Sequence, residues 1–183
     1  LTALGEFLMT ELMRRGMIIE VDHLPRRSYV RAFEMLRENN YPAIGTHGNT
    51  NNGQIYELGG MSQSGFRRCS DPDQPGGRDR RRQERAALRA ENGFLATESL
   101  GFDLNGFASQ QAGRFDPDRP CGVPQTDPVV YPFLSHNGDV TFTEPRLGNR
   151  ELDYNTEGFI HIGMLPELIE DVRHDGITDE QLE

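Results

Sequence analysis

Long apolar runs and positive charge are both scarce in this sequence. No stretch approaches the roughly 20 apolar residues that a membrane-spanning helix needs, which excludes a bilayer span. Lysine and arginine together number 19 against 29 aspartates and glutamates, a net charge of -10. Nucleic acids and anionic membranes both require clustered positive charge, so neither is expected as a partner. With these two classes of partner not expected, we expect a small-molecule or peptide substrate.

Cysteine is scarce as well, because Cys69 and Cys121 are the only two. Neither has the Cys-x-x-Cys or Cys/His spacing of a structural zinc site, and both lie in loops rich in proline, glycine and aspartate. They form one disulfide in an exported protein or remain two thiols in the cytosol. The disulfide is the favoured reading, and with it an exported or periplasmic location.

Helical and strand patterns alternate along the first hundred residues. An amphipathic helix is predicted over residues 2–15, with Thr2 as its N-cap, Gly16 just past its end and an apolar stripe of Leu4, Phe7, Leu8 and Leu12. A second helix is predicted over residues 26–38, with Val30, Phe33 and Leu36 buried. Four segments have strand patterns: residues 17–22, 42–46, 55–61 and 98–102. A polar helix is predicted at about 79–91.

Alternation of this kind predicts an α/β fold with parallel strands. Four strands with their helices make half of a (β/α)8 TIM-type barrel, and 183 residues are too few for a whole barrel of roughly 250. We therefore expect one partial domain over residues 1–183, the C-terminal half of a barrel. Residues 107–150 are expected to be a long loop with a β-hairpin turning at His136-Asn-Gly-Asp139, and a last helix is expected at residues 166–174.

Two histidines occupy equivalent positions in this pattern. His23 follows the strand at 17–22, and His47 follows the strand at 42–46. The carboxyl ends of parallel barrel strands meet on one face, where catalytic groups collect, and imidazole nitrogen is a preferred ligand for Zn²⁺. A hydrogen-bonded loop histidine is the alternative role for each, and their matching placement favours a shared divalent metal.

An acidic residue ends the last predicted strand. Asp103 lies in Leu100-Gly-Phe-Asp-Leu-Asn-Gly106, where the flanking glycines allow close approach of backbone and substrate. A carboxylate at this position can bind a metal and accept a proton from metal-activated water. An Asx turn or a helix cap is the alternative.

These segments together resemble the amidohydrolase superfamily, in particular its renal (membrane) dipeptidase-like branch. The resemblance rests on Gly16-Met-Ile-Ile-Glu-Val-Asp-His23, on Ala43-Ile-Gly-Thr-His47 and on Leu100-Gly-Phe-Asp103. The tail Asp153-Tyr-Asn-Thr-Glu-Gly-Phe-Ile-His-Ile-Gly-Met-Leu-Pro166 is more similar to bacterial metal-dependent hydrolases of the same superfamily. The similarity covers residues 1–50 and 98–106 and leaves the stretch between them unmatched.

The resemblance implies a site with one or two divalent ions, Zn²⁺ above all. His23 and His47 would bind the more exposed ion, and Asp103 would bind the other and act as the general base. The remaining ligands of such sites precede the matched motifs, so the chain alone is expected to be a poor catalyst. The arginine that dipeptidases carry about eleven residues after the second histidine has no counterpart in Tyr56-Glu-Leu-Gly59.

The sequence therefore predicts a metal-dependent hydrolase that cleaves an amide, peptide or related ester bond with metal-activated water. Four weaker candidates for substrate binding are Asn49, Asn105, Arg114 and His161. Turn chemistry is the alternative for the two asparagines, a structural salt bridge for Arg114, and a cap or core role for His161. The alternative functions are a non-catalytic exported binding module derived from the barrel, and a metal-dependent phosphoesterase or decarboxylase.

Overall fold

A computed structural model describes residues 1–47, 52–64, 68–70, 87, 90–93, 99–104 and 111–174. The chain divides into two compact units. The first unit comprises Leu1–Gly65 and Arg81–Asp103, and the second comprises Phe66–Arg80 and Leu104–Glu183. The expected single partial domain stays a prediction, and each unit is described by itself.

The first helix, α1 (Ala3–Arg14), begins and ends where its sequence predicts. The Thr2 hydroxyl accepts a hydrogen bond from the Gly5 amide at 3.2 Å, which satisfies one of the otherwise unpaired N–H groups of the first turn. Gly16, just after the C-cap, has a φ of 68°, a left-handed conformation that glycine adopts without a steric penalty.

The buried face of α1 differs from the predicted stripe. Met9 and Met13 enter the core, whereas Leu4, Phe7 and Leu8 are 74%, 63% and 56% exposed. The stripe prediction was therefore wrong for these three residues. The reason is that α1 carries apolar residues on more than one face, so periodicity alone does not identify the face that packs.

Helix α2 (Arg26–Glu38) covers the predicted range and supplies much of the core of the first unit. Phe33 and Leu36 are buried as predicted, but Val30 is half exposed. The rest of the core comes from α1, from α2 itself, from the helix at residues 52–57 and from the segments beside the first strand: Met9, Met13, Ala32, Met35, Ile55, Tyr56, Ile19, Val21 and Ala43.

The strands of the first unit pair in parallel. The sheet has the order β1 (Ile44–Gly45), β2 (Met61–Ser64) and β3 (Ser99–Leu100). Its register pairs Ile44 with Met61 and Gln63 with Ser99. Glu20 adds a parallel bridge to Ile44 on the other side of β1. Parallel pairing agrees with the alternation in the sequence, while the half barrel itself stays a prediction.

The predicted strand over residues 55–61 was wrong. Residues 52–57 form helix α3 (Asn52–Glu57), in which Ile55 and Tyr56 are fully buried. The helix ends at Glu57, Gly59 follows with a φ of 68°, and the strand begins only at Met61. Short apolar runs of this length suit a buried helix as well as a strand, so the pattern could not separate them.

The second unit contains two short hairpins followed by helices. Strands β4 (Phe133–Leu134) and β5 (Thr141–Phe142) pair antiparallel around the predicted turn, which confirms that hairpin. A second hairpin, which the sequence did not predict, pairs β6 (Arg146–Leu147) with β7 (Arg150–Glu151). Helix α4 (Tyr154–Glu157) and a 3₁₀ turn (Ile162–Met164) lead into α5 (Leu165–His174), close to the last helix predicted.

Cys69 and Cys121 are joined by a disulfide within the second unit, with 5.8 Å between their Cα atoms. The disulfide was the favoured prediction for these two cysteines, and it is confirmed. Across the described ranges, no helix combines the length and apolar character that crossing a bilayer demands.

Candidate metal centre

The side chains of His23 and His47 meet in the first unit. Their Nε2 atoms are 2.5 Å apart, and their ring centroids are 4.3 Å apart. A neutral imidazole has one N–H and one nitrogen lone pair. At this distance one ring can donate its N–H to the lone pair of the other. The same two nitrogens are also the atoms with which imidazole binds a divalent metal.

Strand register accounts for this meeting. The parallel bridge joins Glu20 to Ile44, a separation of 24 residues, which is also the separation of His23 and His47. Each histidine comes three residues after its bridge residue, so the two lie side by side beyond the carboxyl ends of neighbouring extended segments. The register thus provides the convergence that the sequence predicts for these two residues.

Two carboxylates connect the segments that carry the histidines. Glu20 Oε1 accepts hydrogen bonds from the Asp22 amide at 2.8 Å and from the Thr46 hydroxyl at 3.2 Å. Asp22 is buried, and its Oδ2 accepts from the amide of His47 at 2.9 Å. Asp22 thus holds the His47 backbone beside the segment of His23, and Glu20 holds the Thr46 side chain next to it.

Backbone conformation marks the same region. His23 has a φ of 66° and Asp103 has a φ of 49°. A residue with a side chain loses roughly 1–2 kcal/mol in the left-handed region, and such residues cluster at functional sites where the surrounding structure holds them. Two of the three predicted metal-site residues carry this cost.

Asp103 follows β3 on the same edge of the sheet. Gly101, two residues earlier, packs so closely that a Cβ there would lie 1.9 Å from the carbonyl oxygen of Thr46, the residue before His47. The glycine allows the end of β3 to approach the His47 segment. Among the described residues, however, no group of three or more His, Cys, Asp or Glu side chains is arranged to hold a metal ion. The structure brings the two histidines together and does not gather Asp103 with them as a third ligand.

The donor chemistry of the pair suits a divalent ion such as Zn²⁺, which binds imidazole nitrogen at about 2.0–2.1 Å in tetrahedral geometry. That geometry separates two ligand nitrogens by roughly 3.3 Å, so the rings would move apart by under about 1 Å to share an ion. His23 is exposed and His47 is half-buried, which leaves room for this movement. The two histidines therefore fit part of a metal site.

Comparison with protein-family models, curated proteins and solved structures finds no match to this chain.

Four further residues were predicted to bind substrate: Asn49, Asn105, Arg114 and His161. Asn49 and Asn105 lie outside the described residues. Arg114 belongs to the second unit, where its side chain is 4% exposed and its Nη2 lies 2.7 Å from Asp171 Oδ1. Arg114 therefore has the alternative role given in the sequence analysis, a structural salt bridge. His161 also belongs to the second unit, where its Nδ1 accepts from the Gly163 amide at 3.0 Å and caps the 3₁₀ turn.

Sequence reasoning missed Glu20 and Asp22 as supports of the site. The signal was present in Glu20-Val-Asp-His23, where acids alternate with a buried valine directly before the histidine. This role depends on the register, because the hydrogen bonds of these acids reach residues 25 and 26 positions away.

Proposed function

We propose that this chain carries part of the metal site of an amidohydrolase-type hydrolase, which cleaves an amide, peptide or related ester bond with metal-activated water. The observation that carries the proposal is the approach of His23 Nε2 to His47 Nε2 at 2.5 Å. Its place beyond the ends of parallel segments is where α/β folds collect catalytic groups.

The residues of the first unit have separate tasks in this proposal. His23 and His47 would hold the ion. Asp22 keeps the His47 backbone in place, and Glu20 binds the hydroxyl of Thr46 beside it. When bound, a divalent metal supplies Lewis acidity that polarises a carbonyl and makes water more acidic. Asp103 accepts the proton of the attacking water and returns it to the leaving group. An exported location is part of the proposal, because disulfides persist in oxidising compartments.

Metal binding by the chain of residues 1–183 is the decisive measurement, since the resemblance assigns further ligands to other parts of such proteins. Cobalt(II) titration followed by visible absorption reports imidazole coordination directly. We expect His23→Ala and His47→Ala each to weaken cobalt binding by at least tenfold, the loss that accompanies about 1.4 kcal/mol. His136→Ala, at the tip of the β4–β5 hairpin, is the matched control and should leave binding unchanged.

Equal cobalt affinity in the wild type and both histidine variants would end the metal proposal. If binding is lost as expected, substrates with amide, phosphoester and carboxylate groups separate hydrolysis of an amide from the phosphoesterase and decarboxylase alternatives. Metal binding without turnover of any of them would favour the binding module.

A further inference from the structure

The second unit contains a groove of about 710 Å³ between residues 116–119, the β6–β7 hairpin and the segment from α4 to His161. This volume lies within the range of about 300–1,000 Å³ that small-molecule sites occupy. Leu147, Leu152 and Ile160 provide apolar lining. Leu147 is 56% exposed and Ile160 is 36% exposed, so apolar surface in the groove is accessible to a ligand.

The 3₁₀ turn determines which nitrogen of His161, a polar group of the groove, can donate a hydrogen bond to a ligand. His161 Nδ1 accepts a hydrogen bond from the Gly163 amide at 3.0 Å. In a neutral imidazole, an accepting Nδ1 leaves the proton on Nε2. His161 therefore offers an N–H donor on the side of the ring away from the 3₁₀ turn, and the residue is exposed.

The groove also presents two arginines, each beside a carboxylate. Arg119 Nε contacts Asp116 Oδ2 at 2.9 Å, and Arg150 contacts Glu157 Oε1. The Arg119 and Arg150 side chains remain 59% and 63% exposed. An arginine has five N–H donors in a planar fork, so one ion pair leaves further donors for a ligand.

The two carboxylates have both of their oxygens engaged within the chain. Asp116 Oδ1 accepts from the Asp118 amide at 2.9 Å, and that bond is the main reason why the pKa of Asp116 lies below its ordinary value. Glu157 Oε2 accepts from the Asp153 amide at 2.8 Å. Both acids therefore act as structural acceptors, whereas the arginines and His161 retain donors. Asp118 contributes one more exposed carboxylate to the groove.

We propose that this groove binds a small organic carboxylate with an apolar body of several carbons. Arg119, Arg150 and His161 would hold the carboxylate, because guanidinium groups match its geometry with paired hydrogen bonds. Leu147 and Ile160 would cover the apolar body. The site lies wholly within the second unit and does not depend on the proposed metal chemistry of the first.

Titration of the ¹⁵N-labelled chain with hexanoate, followed by NMR, tests the proposal. We expect saturable shifts at Leu147, Gly163 and the side chain of His161. Hexanamide lacks the charge and acetate lacks the apolar body, so both should bind at least tenfold more weakly than hexanoate. Hexyl phosphate tests the other anion that arginine pairs recognise. Hexanamide binding equal to hexanoate, or tighter binding of hexyl phosphate, would overturn the assignment to a carboxylate.

The β6–β7 hairpin provides a matched pair of variants. Arg146 and Arg150 each pair with a glutamate and are 66% and 63% exposed, but only Arg150 lines the groove. Arg150→Gln should weaken hexanoate binding about tenfold, since glutamine lacks the positive charge and the planar fork of donors. Arg146→Gln should change it less than twofold, and equal effects of the two would overturn the site.

A third variant tests the histidine without removing its cap. Asparagine is a favoured capping residue, so His161→Asn can preserve the 3₁₀ turn while removing the Nε2–H donor. We expect weaker hexanoate binding with an unchanged unfolding transition. Unchanged binding would exclude His161 from the site.

Discussion

Arg114 and Asp171 form an ion pair in which each side chain is only 4% exposed, with 2.7 Å between Nη2 and Oδ1. Arg114 Nη2 also donates to the carbonyl of Asp127 at 2.8 Å, and the Tyr154 hydroxyl donates to Asp171 at 3.3 Å. The pair thus links residues 114, 127, 154 and 171 of the second unit. Removal of one partner takes away the opposite charge from a buried ion, which is costly in a dry interior.

Loss of the ion pair should therefore be costly when only one partner is changed. We expect Arg114→Met to lower the free energy of unfolding by about 3–5 kcal/mol. The double variant Arg114→Met/Asp171→Leu should recover part of this loss, because no unpaired charge remains. Urea unfolding measures both. Arg173→Met, which breaks a more exposed pair with Glu170 on the same helix, is the control and should cost under about 1 kcal/mol.

Glu167 should make the stability of the second unit depend on pH. Glu167 is 2% exposed, and burial raises the pKa of its carboxyl above the ordinary 4.5. The folded chain then binds this proton more tightly than the unfolded chain. Stability from this group is fully present below pH 4.5 and is lost as the pH rises through the folded pKa.

Glu167→Gln removes the titrating group and should flatten that part of the stability profile. The variant should be more stable than wild type above the folded pKa, as measured by urea unfolding between pH 4 and 8. Glu170→Gln on the same helix is the control and should retain the wild-type slope. A wild-type slope in Glu167→Gln would contradict the assignment to Glu167.

Gly101 should tolerate no side chain, because its Cβ would collide with backbone rather than with a movable side chain. We expect Gly101→Ala to cost about 1–3 kcal/mol, the range for overpacked sites, and to weaken cobalt binding by displacing the His47 segment. Gly122 has open space around its Cβ position, so Gly122→Ala is the control and should be neutral or slightly stabilising. Thermal unfolding together with cobalt titration checks both effects.

The two faces of α1 should respond differently to truncation. Met13 is 8% exposed and Leu8 is 56% exposed. Met13→Ala should cost about 2–5 kcal/mol, as expected for a core cavity, whereas Leu8→Ala should lie within about 0.5 kcal/mol of wild type. Equal costs, measured by chemical unfolding, would show that Leu8 also packs in solution.

Local signals in the sequence predicted helices α1, α2 and α5 close to their observed bounds. Thr2 and Gly16 mark the ends of α1, and the Asn-Gly pair marks the β4–β5 turn, because capping and turn conformations depend on the residues at those positions. The packing face of α1 and the helix at Ile55 could not be predicted in this way. Both depend on what the rest of the chain brings against them.

The sequence likewise predicted one part of the candidate site and left the rest open. A separation of 24 residues indicates that His23 and His47 end neighbouring segments, and the structure joins them. The hydrogen bonds of Glu20 and Asp22 to residues 46 and 47 depend on the parallel register, which no local pattern shows. Arg114 could be read as a ligand residue or as a buried cation, and only the position of Asp171 distinguishes the two.

The Cys69–Cys121 bond closes a covalent ring of chain whose middle portion, Arg81–Asp103, belongs to the other unit. Strand β3 and Asp103 belong to the first unit, but they lie in a stretch of chain that is closed by a disulfide of the second unit. A single proteolytic cut anywhere between the two cysteines would leave both pieces attached until a reductant is added. Shortening the chain to residues 1–103 would keep the whole first unit, but it would also keep Phe66–Arg80 of the second unit and would remove Cys121.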